Sequence, residues 1–297
     1  MRGPSNRGAR VGTHAKHNGK RRRLPRWADR LITLLLILVG VGLMVWPWVV
    51  DMLEEYGVGA TISEVSSRVD SMPAEEKQWY LDQANAYNKV LAGEEPDMDA
   101  SQIVDYNGQL TYDRDPMMSW VEIPSIDVSM PIYHGTGDAA LMAGVGHLEG
   151  TSLPVGGEST HCVITAHSGM RNLRMFDDIR QLEPGDLVLI HTMGDVYAYR
   201  VTSSEVVWPD ETSSLEIVPG EDLLTLVTCT PYGVNDHRLL VHCERTDYVP
   251  EEAEEQASVT ERHWGAREWA VVVVAVALAG VTVDAVVHHA RKRHQRG

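Results

Sequence analysis

Cysteine is scarce in this chain: Cys162, Cys229 and Cys243 are the only three in 297 residues. An odd count leaves at least one thiol without a partner within the chain. There is no C-x-x-C pair, and no His/Cys cluster has zinc spacing, so neither a metal nor a cofactor is expected. Positive charge is nearly missing from the middle of the chain. Of 26 Lys and Arg residues, ten lie in residues 1–30 and four in 288–297, which leaves 12 elsewhere. Of 42 acids, all but Asp29 and Asp284 fall within residues 51–268, so 40 acids oppose those 12 bases. Such an excess argues against a nucleic-acid partner. No A-x-A site directly follows the first apolar run, which favours an uncleaved anchor over a signal peptide.

Two apolar runs frame the acidic middle. Residues 31–50 carry no charge, and at a helical rise of 1.5 Å per residue they span about 30 Å, one bilayer core. Trp46 and Trp48 stand at the outer end, where interfacial aromatics belong. Residues 269–287 form the second run, with Trp264 and Trp269 at one edge and Arg291-Lys292-Arg293 beyond the other. Asp284 interrupts it near that basic end, where its insertion cost is small. Basic residues beside both runs predict two membrane spans, with the tails 1–30 and 288–297 cytoplasmic and the middle outside.

Within the middle, residues 51–118 read as a helical segment followed by an acidic loop. Pro73 precedes Glu75 and Glu76, acids suited to a first helical turn, and Tyr80, Ala84, Tyr87 and Leu91 then form one stripe before Gly93. Residues 119–248 carry eight short strand-like runs, at 120–123, 128–132, 161–165, 187–191, 196–201, 205–207, 223–227 and 239–242. Pro and Gly punctuate them, which predicts a mainly β barrel or sandwich. Residues 175–182 read as a short helix, and 249–268 as an acidic linker.

The chemistry gathers in T-L-V-T-C-T-P-Y-G-V-N-D-H-R-L-L-V, residues 225–241. Two apolar runs flank a link bearing Pro231, Gly233, Asn235 and Asp236, the pattern of neighbouring strands joined by a structured loop. Cys229 ends the first strand and Arg238 begins the second, so an antiparallel return sets a nucleophile opposite a permanent cation. His167, at the exit of the run 161–165, is the candidate base. His134, His147 and His237 compete: alternation turns His237 to the other face from Arg238, while His134 and His147 stand in turns that rim the site. The expected state of Cys162 and Cys243 is that of buried small hydrophobes.

These residues resemble the sortases, the cysteine transpeptidases of Gram-positive cell surfaces. The resemblance rests on T-L-V-T-C-T-P-Y-G-V-N-x-H-R-L-L-V and the upstream T-x-H-x-G. P-I-Y-H-G-T from Pro131, and G-V-G-H-L-E-G-T-S-L-P from Gly144, are similar to the pilus-assembling class C branch. It implies an eight-stranded barrel with an N-terminal helical segment, His167 as acid/base, Cys229 as nucleophile and Arg238 as oxyanion or substrate stabiliser. It also implies cleavage of an LPXTG-like signal on a pilin or surface protein and transfer to a pilin lysine amine. Two alternatives stay open: a housekeeping sortase that anchors proteins to the cell wall, and a non-catalytic surface scaffold. Class C sortases carry an acidic-Pro-aromatic lid, and the nearest matches here are Asp115-Pro116-Met117 and Glu95-Pro96-Asp97. The first makes Asp115, Pro116 and Met117 a possible lid, Asp115 pairing with Arg238 while Met117 covers Cys229; the alternative is that Asp115-Pro116 is merely a strand-entry turn. Ala166 and Ser168 replace the Gly and Arg that commonly flank the family histidine.

Overall fold

The computed structural model describes residues 26–112, 116–168, 175–231 and 233–259. The chain divides into two compact units, one of Met1–Trp46 with Val274–Gly297 and one of Pro47–Val273. Helix α1 runs over Arg26–Ser71. It stops two residues before Pro73, whose fixed φ of −56° and missing N–H suit the start of a new helix better than the middle of an old one. Helix α2, Ala74–Leu91, begins there with Glu75 and Glu76 in its first turn and Lys89 in its last, both matched to the helix dipole. The expected stripe is the packed one, for Ala84 is fully buried and Tyr80 and Tyr87 pack against the barrel core. Asn88 ties the helix down, donating to the Leu153 carbonyl at 3.2 Å and accepting from the Leu153 N–H at 2.7 Å.

Eight strands close into a barrel in the order β1-β2-β3-β4-β7-β8-β6-β5. They are β1 (Met117–Ile123), β2 (Val128–His134), β3 (Val145–His147), β4 (Thr160–Thr165), β5 (Leu187–Thr192), β6 (Asp195–Val207), β7 (Asp222–Thr230) and β8 (His237–Arg245). The short helix α3 (Asp138–Ala143) links β2 to β3, and α4 (Pro250–Val259) follows β8. Alternate side chains point inward: Val121 and Ile123 from β1, Cys162 and Ile164 from β4, Leu224 and Leu226 from β7, Val241 and Cys243 from β8.

The count of eight agrees with the expectation, although two members differ. Runs 196–201 and 205–207 are one strand, β6, carried past a bulge between Val201 and Ser203. Strand β3, only three residues with glycine at its centre, lacked a recognisable pattern. The short helix expected over 175–182 is a single 3-10 turn at Ile179–Gln181. Part of the expected linker is helix α4, docked rather than free. Arg200 holds Glu252 through two bonds of 2.7 and 3.0 Å, Gln256 accepts from the Leu187 N–H at 2.9 Å, and Ala253 is buried. Among the described residues no helix is long and apolar enough to cross a membrane. The expected span 31–50 lies within α1, several of whose side chains are outside the described residues, and 269–287 lies outside them altogether.

Candidate active site

Strands β7 and β8 pair antiparallel, with Cys229 directly opposite Arg238 and Thr230 opposite His237. The turn between them uses Gly233 and Asn235 in left-handed backbone, φ 80° and 60°, a conformation that glycine and asparagine accept most readily. On the other side of β7, β4 runs parallel, pairing Thr165 with Val227. Continuing that register by two residues brings His167 opposite Cys229. Hydrogen bonds carry the register past the strand end: Thr228 Oγ1 donates to the Ala166 carbonyl at 2.8 Å, and Ser168 Oγ to the Cys229 carbonyl at 2.6 Å. The Phe176 N–H, at 3.2 Å, donates to the His167 carbonyl from the following segment. His167, Cys229 and Arg238 thus form one row across three adjacent strand ends.

That row lies on the outer wall of the barrel. Leu224, Leu226 and Thr228 alternate with Cys229, and Leu239 and Val241 with Arg238; all five are buried, and the four leucines and valines belong to the barrel core. Cys229 is half-buried, whereas Cys162 and Cys243 are buried inside and burial pushes both thiols well above the ordinary range. Only Cys229 has the access that a nucleophile needs. Arg238 Nη1 donates to the carbonyls of His237 at 2.9 Å and Asn235 at 3.2 Å, which holds the guanidinium beside the thiol's strand. Two hydroxyl contacts, one from buried Thr228 and one from half-buried Ser168, escaped the sequence reading because nothing local in a sequence reveals a parallel register 62 residues apart.

The competing histidines fall elsewhere. His147, expected at a rim, is fully buried on β3. Its Nε2 donates to the Ser152 carbonyl at 2.9 Å, so Nδ1 is the acceptor facing the Tyr106 hydroxyl at 3.0 Å. Burial holds its pKa down at about 4. His134 Nε2 donates to the Gln109 carbonyl at 2.8 Å, and burial lowers its pKa too. Both bind the segment that precedes β1, where Tyr106, Leu110 and Tyr112 are buried. His237 stacks on Trp208 with ring centroids 4.1 Å apart and bonds Asp236 at 2.8 Å. The possible lid is corrected at one residue: Met117 opens β1 opposite Tyr133 and is 1 % exposed, so it is barrel wall and no cover. Its apolar side chain is packed in the cluster that also holds Val65 and Val69 of α1. Pro116 is exposed just before it, and Asp115 lies outside the described residues.

A closed β-barrel with thiol, imidazole and guanidinium at adjoining strand ends has the make-up of a cysteine acyl-transfer enzyme. A family model described as the sortase domain matches residues 121–246. Sortase C1 of Streptococcus agalactiae is similar in structure, with a TM-score of 0.60 and 38 % identity, over 64 % of this chain and 100 % of that one. A sortase C of Clostridium perfringens, solved with a C-terminal cell wall sorting motif, matches at TM-score 0.56 and 42 % identity over 64 % of this chain and 99 % of that one. Sortase A of Streptococcus agalactiae is 27 % identical over 133 residues, 43 % of this chain, and the match spans only 53 % of that relative. The chain belongs to the sortase family, whose members are cysteine transpeptidases.

Proposed function

We propose that this chain is a membrane-held, extracellular transpeptidase that cleaves an LPXTG-like sorting signal and passes the acyl group to a lysine amine of a pilin subunit. The row His167–Cys229–Arg238 carries the reading. Cys229 gives its proton to His167 and attacks the threonine's own carbonyl carbon, so that the bond to the next residue's nitrogen breaks. Negative charge develops on the carbonyl oxygen, where a guanidinium meets it with paired N–H donors. The imidazolium then protonates the leaving amine, and a thioester remains on Cys229. An incoming lysine amine attacks that thioester, His167 takes a proton from it, and the thiol is restored.

Support for the pilin reading comes from the class C structures, one of which, from Streptococcus pneumoniae, is described in terms of pilin substrate specificity. Support for the membrane reading comes from α1, where Ile32, Leu35, Leu36, Val39, Leu43 and Met44 are all exposed along one uncharged stretch. Both basic tails then face the cytoplasm and the barrel faces outward. The test is cleavage of a fluorogenic LPXTG peptide by the purified chain, followed by surface-protein polymer ladders in cells lacking it. Loss of ladders is the expected result. Intact ladders with surface proteins released from the wall assign the acceptor to the wall cross-bridge, and no cleavage of any sorting peptide overturns the enzyme reading.

A further inference from the structure

The wall that bears Cys229 bears a second polar row lower down. Alternation places Thr225 on the Cys229 face of β7 and His242 on the Arg238 face of β8, each four residues away from the site. His161 takes the same face of β4, and Glu205 stands on β6. The β6–β7 loop, residues 208–221, meets both ends of this row. His161 Nδ1 lies 2.9 Å from the Glu216 carbonyl, and Ser214 stands by the Glu205 carboxylate, whose pKa it lowers. Between those ends, His161 Nε2 is 2.8 Å from Thr225 Oγ1, which is 3.0 Å from His242 Nδ1. His242 Nε2 is in turn 3.2 Å from Glu205 Oε1.

Protons can be counted along the row. Both ends are acceptors, a carbonyl and a carboxylate, so His161 Nδ1 and His242 Nε2 must each bear hydrogen. The single hydroxyl proton of Thr225 serves one of the two inner contacts, and the other needs a third imidazole N–H. Three N–H groups on two rings are one more than two neutral imidazoles hold. The row is complete only with one bound proton. His161 is 2 % exposed and burial lowers its pKa, so it is the neutral ring. The extra proton rests between His242 and Glu205, whose carboxyl is held below its ordinary value by Ser214 and then by His242. Glu205 from β6, Thr225 from β7 and, through it, His161 from β4 face His242; Glu244 follows two residues on along its own strand. No Lys or Arg occurs between Arg200 and Arg238 to supply the charge instead.

We propose that His161, Thr225, His242 and Glu205 form a proton-holding clasp that positions the β6–β7 loop beside Cys229 for binding of the donor peptide. The loop begins at Trp208, which stacks on His237 next to Arg238, so slack at its foot reaches the mouth of the site. Without that proton one contact of the row sets lone pair against lone pair, and the row no longer ties the foot of the loop firmly to the wall. All four are positioning residues, and the peptide-binding part of the proposal rests on the transpeptidase reading above. Ring ¹⁵N NMR of the full-length protein tests the proton count: two N–H on His242 and one on His161 are expected while the row is intact. Limited proteolysis within 208–221 tests the latch. Cleavage should quicken about tenfold where the row is broken, the equivalent of one charge-assisted hydrogen bond. His242→Gln and the half-exposed Glu205→Gln should be cut at the faster rate at every pH. In peptide turnover both should raise KM about tenfold at little cost to kcat, and Thr225→Ser should keep the wild-type KM while Thr225→Val does not. A single N–H on His242, or equal loop protection in wild type and both variants at all pH values, overturns the clasp. Spectra and proteolysis need no substrate, so they answer even if no sorting peptide is cleaved, a result that would count against the transpeptidase reading alone.

Discussion

Acid should loosen this barrel through one histidine. His147 is fully buried, and its pKa falls from 6.5 to about 4 because burial penalises the cation more than the Ser152 carbonyl repays it. Above pH 6.5 the ring is neutral in both folded and unfolded chains and contributes no pH dependence. Between 6.5 and 4 the unfolded chain takes up a proton that the folded chain refuses, so stability falls as pH falls through that window. At 1.36 kcal/mol per unit, the full penalty is about 3 kcal/mol, and about 2 kcal/mol of it is present by pH 5. For a domain of this size that is a fall in Tm of roughly 4–8 °C. His134 and His161 shift in the same direction, so the difference between wild type and His147→Gln isolates the term. Denaturation of both proteins from pH 7.5 to 4.5 gives the two slopes. The variant should start lower and lose less on acidification. Parallel slopes would refute the assignment of a neutral, proton-refusing His147.

Thiol-alkylating reagents should modify Cys229 well before Cys162 and Cys243, both buried with thiols pushed upward; peptide mapping after brief labelling reads the order, and Cys229→Ala should leave no turnover. Arg238→Lys keeps the charge and loses the planar fork, so kcat should fall by about 10²–10³, the usual cost of a lost oxyanion donor; steady-state kinetics with equal rates would reduce Arg238 to bulk charge.

The barrel was legible because its strands alternate and its turns carry Pro and Gly, and Cys229 facing Arg238 followed from a short link between two β-rich runs. The neighbour of Cys229 on the other side was harder. His167 meets it through a parallel pairing whose register no local pattern encodes, and here the family motif supplied what periodicity did not. Short range also misled: Met117 follows an acid and a proline as a lid would, yet its apolar side chain belongs to a strand that begins three residues earlier than the sequence pattern suggested. Helix α4 hid for a related reason. Its residues are nearly all polar, and only Ala253 and the bonds of Glu252 and Gln256 to the barrel make it a docked element.

On the proposed mechanism, the parallel pairing of β4 with β7 also governs when the thiol becomes competent. Cys229 and Arg238 are nine residues apart and meet as soon as one hairpin closes, a local event on the microsecond scale. His167 lies 62 residues earlier, with β5 and β6 intervening, so its place beside Cys229 carries the entropy of a long loop and forms only with the larger topology. A chain that has folded only its last hairpin therefore presents a thiol and a cation without their imidazole. On the proposed mechanism, reactivity arrives only with the completed barrel.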